Sequence, residues 1–211
     1  NRGRRMQTEL LKTYAQPVPR YTSYPTAPHF DATIGPGEYE RWLAAVPAGS
    51  AMSLYVHIPF CDTLCWYCGC HTKATRRYQP VAQYLDALGL EIDAVSRRLS
   101  ARPRVTHLHW GGGSPNILSA ADIRGLAAHL RRAFEFDAAA EFAVEVDPRD
   151  LGDDRIAAFA EAGVNRASVG VQDFDADVQR AINRRQSFEA TAAAVRQCRD
   201  AGVDAINIDL V

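Results

Sequence analysis

The chain has 211 residues, 47% of them hydrophobic and 23% charged, with a formal net charge of -1. This suffices for one domain, or a domain with an extension, and excludes an acidic disordered tail, a collagen-like chain and a strongly basic nucleic-acid module. No apolar run approaches the roughly 20 residues of a membrane helix and no hydrophobic signal core is present, so the expectation is a soluble, cytoplasmic protein that engages neither membrane nor nucleic acid.

In chain order, residues 1–13 are polar and basic (Arg2, Arg4, Arg5 and Lys12 against Glu9) and read as a loose end or a short helix. Residues 14–36 are rich in Pro, Tyr and Thr, and each Pro lacks an amide donor and restrains its predecessor, so no long helix forms there. The reading is a strap lying across a core, with a second reading in which the strap also borders an active site. Residues 1–50 are therefore separated, as an N-terminal extension, from residues 51–211.

From residue 51 short apolar runs alternate with helical patterns. Strands are expected at 54–58, 105–110, 142–146, 166–171 and 205–211, and helices at 81–99, 120–134, 153–162 and 188–200. Two similar passages, Glu161-Ala162-Gly163-Val164 and Asp200-Ala201-Gly202-Val203, set a glycine between helix and strand, where its left-handed conformation closes the helix. Strands joined by such crossovers are parallel. A βα barrel, closed or partial, and a doubly wound sheet both satisfy the pattern. The last strand has no helix after it, so the expectation is that these residues are the front part of a longer protein.

Four of the five cysteines, Cys61, Cys65, Cys68 and Cys70, fall within ten residues, directly after the first strand; Cys198 stands alone on an apolar helix face beside Val195. Such clustering points to metal or redox chemistry rather than disulfide stapling. Thiolates suit zinc and iron–sulfur chemistry alike. One compact run without a distant second pair favours a cluster wrapped by a single loop, although Cys61, Cys65 and Cys68 with His71 also make a zinc set. Gly111-Gly112-Gly113 ends the second strand; without side chains it lets the backbone approach a ligand and offers amide hydrogens, or it is simply a tight turn. Glu145, in a strand, needs a partner or solvent. His57, His107 and His109 read as packed or hydrogen-bonded histidines before they read as ligands.

The Cys-x3-Cys-x2-Cys spacing with Tyr67 before the third cysteine resembles the signature of the radical S-adenosylmethionine enzymes. The ordered set Pro19-Arg20-Tyr21-Thr22-Ser23-Tyr24-Pro25, the cysteine run with its extra Cys70, His109-Trp110-Gly111-Gly112-Gly113-Ser114-Pro115, Glu145-Val146-Asp147-Pro148-Arg149, Gly170-Val171-Gln172-Asp173-Phe174 and Asn207-Ile208-Asp209-Leu210 is similar to that of the oxygen-independent coproporphyrinogen III oxidase (dehydrogenase) family. The resemblance runs from about residue 14 onward. It implies an α/β fold, the front part of a (β/α) barrel. It implies a [4Fe-4S] cluster on Cys61, Cys65 and Cys68, with one iron left to S-adenosylmethionine, and a catalytic Cys70 kept off the cluster.

It further assigns Tyr55, Tyr67, Gly112, Gly113, Ser114, Glu145, Gln172, Arg184 and Asp209 to S-adenosylmethionine, of which two molecules are expected. Ser114 stands where the family usually has threonine, and Arg185 where it usually has glutamate. Asp147-Pro148 reads as loop-shaping, and Arg20 and Arg149 as candidates for gripping substrate carboxylates. The implied reaction converts two propionates of coproporphyrinogen III to vinyl groups without oxygen, giving protoporphyrinogen IX through a 5'-deoxyadenosyl radical. It requires a reducing electron donor, and a monomer is expected. Alternatives are a haem chaperone or a haem-degrading relative, against which Cys70 and residues 19–27 argue, and a structural zinc site in an interaction protein.

Overall fold

The computed structural model describes residues 26–30 and 33–210. The expectations for residues 1–13, most of the strap, Arg20 and Val211 lie outside them. The chain divides into two compact units, Asn1–Tyr39 and Glu40–Val211. The first contains a 3-10 turn, Ala27–His29, in which the His29 amide donates to the Thr26 carbonyl at 2.8 Å. The periodicity did not signal one helix, α1 (Pro36–Ala44).

The second unit is built on five strands: β1 (Ala51–Ile58), β4 (Arg104–Gly112), β5 (Glu135–Val146), β6 (Arg166–Gln172) and β7 (Ala205–Leu210). All neighbours are parallel and follow chain order, β1-β4-β5-β6-β7. A doubly wound sheet would reverse that order at a switch point. There is no reversal among the described strands, so the sheet is an open portion of a barrel. Helices α2 (Gln79–Arg98), α3 (Ala120–Ala133), α4 (Asp153–Glu161), α5 (Ala176–Ala181) and α6 (Phe188–Asp200) supply the crossovers. A two-residue ribbon, β2 (Phe60–Cys61) with β3 (Lys73–Ala74), closes the base of the cysteine loop.

Local chemistry fixes the helix ends. Ser119 accepts from the Asp122 amide, Asp175 from the Asp177 and Val178 amides, and Ser187 from the Ala190 amide, each satisfying donors a helix start leaves orphaned. At the other ends Gly163 and Gly202 adopt φ of 89° and 86°. There the Val164 amide donates to Phe159 at 3.0 Å and the Val203 amide to Cys198 at 2.9 Å, the six-to-one bond of a Schellman cap. The repeated Ala-Gly-Val is thus a repeated helix stop.

The sheet has two unlike faces. Val56, Ile58, Leu108, Trp110, Phe142, Val144 and Val146 point toward the helices and meet Val81, Leu88 and Ile92 of α2, Ile123, Leu126 and Leu130 of α3, and Ile156 and Phe159 of α4. Burying each such side chain contributes about 1.5–3 kcal/mol. Trp110, wholly buried, packs edge-on against Phe142 and Phe159. The other face carries Tyr55, His57, His107, His109, Glu145, Ser168, Asn207 and Asp209. β5 begins seven residues before its apolar stretch, and its pairing with β4 skips from Phe136 to Glu141. The alanine-rich residues 137–140 gave no apolar signal for that early start.

Candidate active site

The thiols leave the sheet where β1 ends. The Lys73 amide donates to the Pro59 carbonyl and the Thr75 amide to Cys61, both at 2.9 Å, which ties the two ends of the loop together. On its far side the Trp66 amide donates to the Ile182 carbonyl at 3.0 Å and Asn183 Nδ2 to the Leu64 carbonyl at 2.8 Å. Asn183 holds φ at 55°, a left-handed conformation Asn tolerates. The loop therefore spans from β1 to the segment that follows β6. These tethers carried no sequence signal, because 119 residues separate Asn183 from Leu64.

The glycine run serves close packing. A Cβ on Gly111 would lie 2.7 Å from the Glu145 carboxylate, one on Gly112 2.5 Å from the His57 ring, and one on Gly113 2.4 Å from the Phe60 carbonyl oxygen. The amides expected to face a ligand are engaged within the chain. Gly112 donates to Glu145 Oε2 at 3.0 Å, Gly113 to Ile58 and Ser114 to Phe60, both at 2.8 Å. Parallel pairing continues past the strand end and consumes those donors. The Ser114 hydroxyl likewise donates to Asn116 Oδ1 at 2.8 Å. Asn116, buried and not foreseen, also accepts from the Asp147 amide and donates to the Asp147 and Asp150 carbonyls, joining the loops after β4 and β5.

Two groups of side chains flank the thiols. On one side Tyr55 stacks on His109 at 5.7 Å, with its hydroxyl 3.0 Å from His57 Nδ1. His57 Nε2 lies 2.8 Å from the His71 carbonyl, and His109 Nε2 3.2 Å from Glu145 Oε1. The histidines are hydrogen-bonded, as expected of them. Burial opposes ionisation of Glu145, but the His109 and Gly112 hydrogen bonds, with the His57 ring nearby, hold its carboxyl below the ordinary range. Desolvation, then the neighbouring Cys68 and Glu145, push the Cys70 thiol up to about 11. Desolvation, then Glu145 and Cys70, also raise Tyr55. Tyr55, Glu145 and Cys70 thus share one electrostatic neighbourhood.

On the other side lies an ionic assembly against Cys65. Arg149 grips Asp147 with Nε at 2.9 Å and Nη2 at 2.6 Å, and Arg184 reaches the same carboxylate at 3.3 Å. Arg184 Nη1 lies 3.5 Å and Arg149 Nη2 3.9 Å from Cys65 Sγ. Burial would raise the Asp147 carboxyl; the Arg149 hydrogen bond and the Arg184 charge outweigh it and hold the group low. Arg184 is buried, not a solvated loop residue, and its Nη2 also donates to the Gly170 carbonyl at 2.6 Å. Arg149, expected to be available to substrate carboxylates, is engaged by Asp147. Beneath them the buried Gln179 side chain donates to the Gln186 carbonyl and accepts from the Gln186 amide, while Gln186 Oε1, also buried, accepts from Arg184 Nε. Desolvation, with Cys65 beside it, lifts Tyr67 to about 12 against the opposing Arg184 charge.

Gln172 ends β6 with φ at 71°, a left-handed backbone rare outside glycine, and its side-chain amide and Arg184 both crowd Gly170. Asp209 accepts from Ser168 Oγ at 2.9 Å and Asn207 Nδ2 at 2.8 Å. Cys198 is buried in the core, its thiol pushed up to about 11 by burial. A cleft of about 290 Å³ opens beside the loop, lined by Asp62, Thr63, Ser114, Asp147, Arg149 and Asp150. A larger cavity, about 470 Å³, lies at the opposite sheet edge near the starts of β4 and β5. No cysteine lines it, and in parallel α/β sheets chemistry collects at the carboxyl ends of strands.

Among the described residues no three His, Cys, Asp or Glu side chains are gathered tightly enough to grip an ion as they stand. The donors nonetheless fit an iron–sulfur cluster in kind: soft thiols on one tethered loop, with guanidinium counter-charge already beside Cys65. A family model, the radical SAM superfamily, matches residues 55–211, from the strand that delivers the loop to the chain end. The chain belongs to the radical SAM superfamily. Membership implies use of a [4Fe-4S] cluster and S-adenosylmethionine. This radical SAM chain is 51% identical over 207 residues to the oxygen-independent coproporphyrinogen III oxidase of Bradyrhizobium diazoefficiens, covering 98% of this chain and 46% of the relative.

Against the Escherichia coli protein of the same name identity is 45% over 203 residues, covering 96% and 44%. A solved structure of Escherichia coli coproporphyrinogen III oxidase, described as a radical SAM enzyme, matches with a TM-score of 0.84 and 42% identity, over 95% of this chain and 44% of that one. The radical SAM chain spans less than half the length of these relatives. No helix among its described residues is long and apolar enough to cross a membrane.

Proposed function

We propose that the protein containing this chain catalyses oxygen-independent oxidative decarboxylation of coproporphyrinogen III, converting two propionates to vinyl groups to give protoporphyrinogen IX in haem biosynthesis. One observation carries the reading: 51% identity, extending through the whole site, to an enzyme named for this oxidation. In this reading residues 1–50 are an extension and residues 51–211 the front part of the barrel. The protein acts in the cytoplasm as a monomer, with a reducing electron donor.

Cys61, Cys65 and Cys68 would hold the cluster. Bound there with S-adenosylmethionine, it supplies the one-electron chemistry that yields a hydrogen-abstracting radical. The chain's own residues orient and protect. Tyr55, Gly112 and Glu145 border one side of the cofactor; Tyr67, Gly113, Ser114, Gln172, Arg184 and Asp209 provide contacts to it or to a second S-adenosylmethionine. Because the Gly112, Gly113 and Ser114 amides and the Ser114 hydroxyl are already engaged, these residues act by allowing close approach and shaping the wall. Glu145, held ionised, presents an acceptor to a cationic group. Cys70, its thiol kept protonated, stays off the metal and near the reacting atoms.

The test is anaerobic incubation of the full-length reconstituted protein with reductant, S-adenosylmethionine and coproporphyrinogen III. Protoporphyrinogen IX and carbon dioxide are the expected products. Cofactor cleavage without them would reduce the reading to the superfamily, and stoichiometric zinc without sulfide would overturn it. Alanine at Cys61, Cys65 or Cys68 should each abolish cofactor cleavage, whereas Cys70→Ala should retain iron and sulfide and lose turnover.

A further inference from the structure

We propose that Asp147 and Arg149 are positioning residues for the cluster: with Arg184 they fix the Cys65 sulfur and set the cluster's reduction potential. The proposal rests on the reading of Cys65 as an iron ligand and deepens it.

The geometry is that of a charge-balanced socket with one place left. Two guanidiniums share a single carboxylate: Arg149 on Asp147 at 2.6 Å and Arg184 on Asp147 at 3.3 Å. Their side chains are 21%, 8% and 14% exposed for Arg149, Arg184 and Asp147, so water screens the assembly poorly. Within this trio two positive charges face one negative, a surplus of one, and the neighbouring Asp150 is paired with Arg155 at 3.0 Å instead. A surplus charge away from water needs a partner. Both guanidiniums turn to the same atom, Cys65 Sγ, at 3.5 Å from Arg184 and 3.9 Å from Arg149. A metal-bound cysteine is a thiolate and carries the missing negative charge.

The socket is rigid. Arg184 is further held by the Gly170 carbonyl at 2.6 Å and by Gln186 Oε1 at 3.2 Å. Asp147 is pinned from its own backbone, its amide donating to Asn116 Oδ1 at 2.9 Å and its carbonyl accepting from Asn116 Nδ2 at 3.1 Å. Arg149 reaches Cys65 less closely than Arg184 and acts mainly by sharing Asp147. That division leaves Arg149 as the residue whose charge can be removed while the Asp147–Arg184 pair survives. Positive charge and hydrogen bonds near cluster sulfurs favour the reduced state, because reduction adds negative charge.

The test uses full-length protein reconstituted anaerobically, with iron and sulfide assayed and the cluster poised and read by electron paramagnetic resonance. Arg149→Met should keep the cluster but lower the reduced-to-oxidised ratio about tenfold at a fixed potential, a 59 mV downward shift for a one-electron couple. Arg149→Lys should stay near wild type. Asp147→Asn should move the potential upward, a sign reversal that a merely structural role would not produce. If Asp147→Asn protein does not accumulate, the Arg149 pair decides alone. An unchanged potential in Arg149→Met, or equal shifts in Arg149→Met and Arg149→Lys, would overturn the proposal while leaving the ligand reading intact. Wild-type protein that assembles no [4Fe-4S] cluster would overturn the ligand reading itself.

Discussion

Asp147 is where single-residue chemistry matters most. Its carboxylate neutralises one of two guanidiniums that are largely removed from water, and taking it away leaves both without their common partner. Breaking a buried ion pair by removing one side costs about 3–5 kcal/mol, so Asp147→Ala should lower the unfolding free energy by about that amount in urea titration of the full-length protein. Asn116 acts through satisfaction instead of charge. Its amide meets four groups on the loops after β4 and β5. Asn116→Ala strands several of them, each worth about 1–3 kcal/mol when unpaired and buried, and should cost about 2 kcal/mol or more by the same measurement. Neither residue stands out in the sequence: Asp147 reads as a loop-shaping acid and Asn116 carries no signal, because the partners that give them weight come from other loops.

At the scale of elements, the two Schellman caps separate backbone conformation from side-chain space. A Cβ on Gly202 meets nothing within 4 Å, so Gly202→Ala should cost only the left-handed penalty, about 1–2 kcal/mol. At Gly163 the added carbon would meet Arg131 Nη2 at 2.7 Å, the far end of a flexible side chain that now donates to the Ala162 carbonyl. Gly163→Ala should therefore cost more than Gly202→Ala, a difference readable as unequal shifts in thermal midpoint. These caps were legible because glycine followed by an apolar residue is a local signal. The β2–β3 ribbon, α1 and α5 were not, being short and stabilised by what they join more than by their own periodicity.

Taken as a whole, the molecule rests on the apolar sheet face and its helices, with Trp110 at the centre. Trp110→Ala should destabilise by about 3–5 kcal/mol. Trp110→Phe should cost much less, because it keeps an aromatic ring and removes an indole Nε1 that has no partner among the described residues. Comparing the two variants by urea unfolding checks both statements. The opposite face is polar in a fully parallel sheet, an arrangement at odds with the continuous apolar strands of sheets covered on both sides. Tyr55 pairs in register with His109, and Glu145 with Ser168, which is opposite Asn207; Asp209 lies two residues further along the same face. The polar face and the cysteine loop at its carboxyl edge together form the candidate site.

Alone, the sequence determined the alternation of strands and helices, the two glycine stops, the soft donor loop after β1 and the family that loop resembles. All of these are written in residues close together along the chain, where periodicity and spacing carry the physics. The tertiary structure decided the rest. Strand order distinguished an open barrel from a doubly wound sheet, since periodicity is identical in both. It also decided which polar groups are already engaged: the Gly112, Gly113 and Ser114 amides by β1, β2 and Glu145, Arg149 by Asp147, and Arg184 by Asp147, Gly170 and Cys65. Whether a donor is free depends on what the fold brings within about 3 Å of it, and those partners lie up to 119 residues away in the chain.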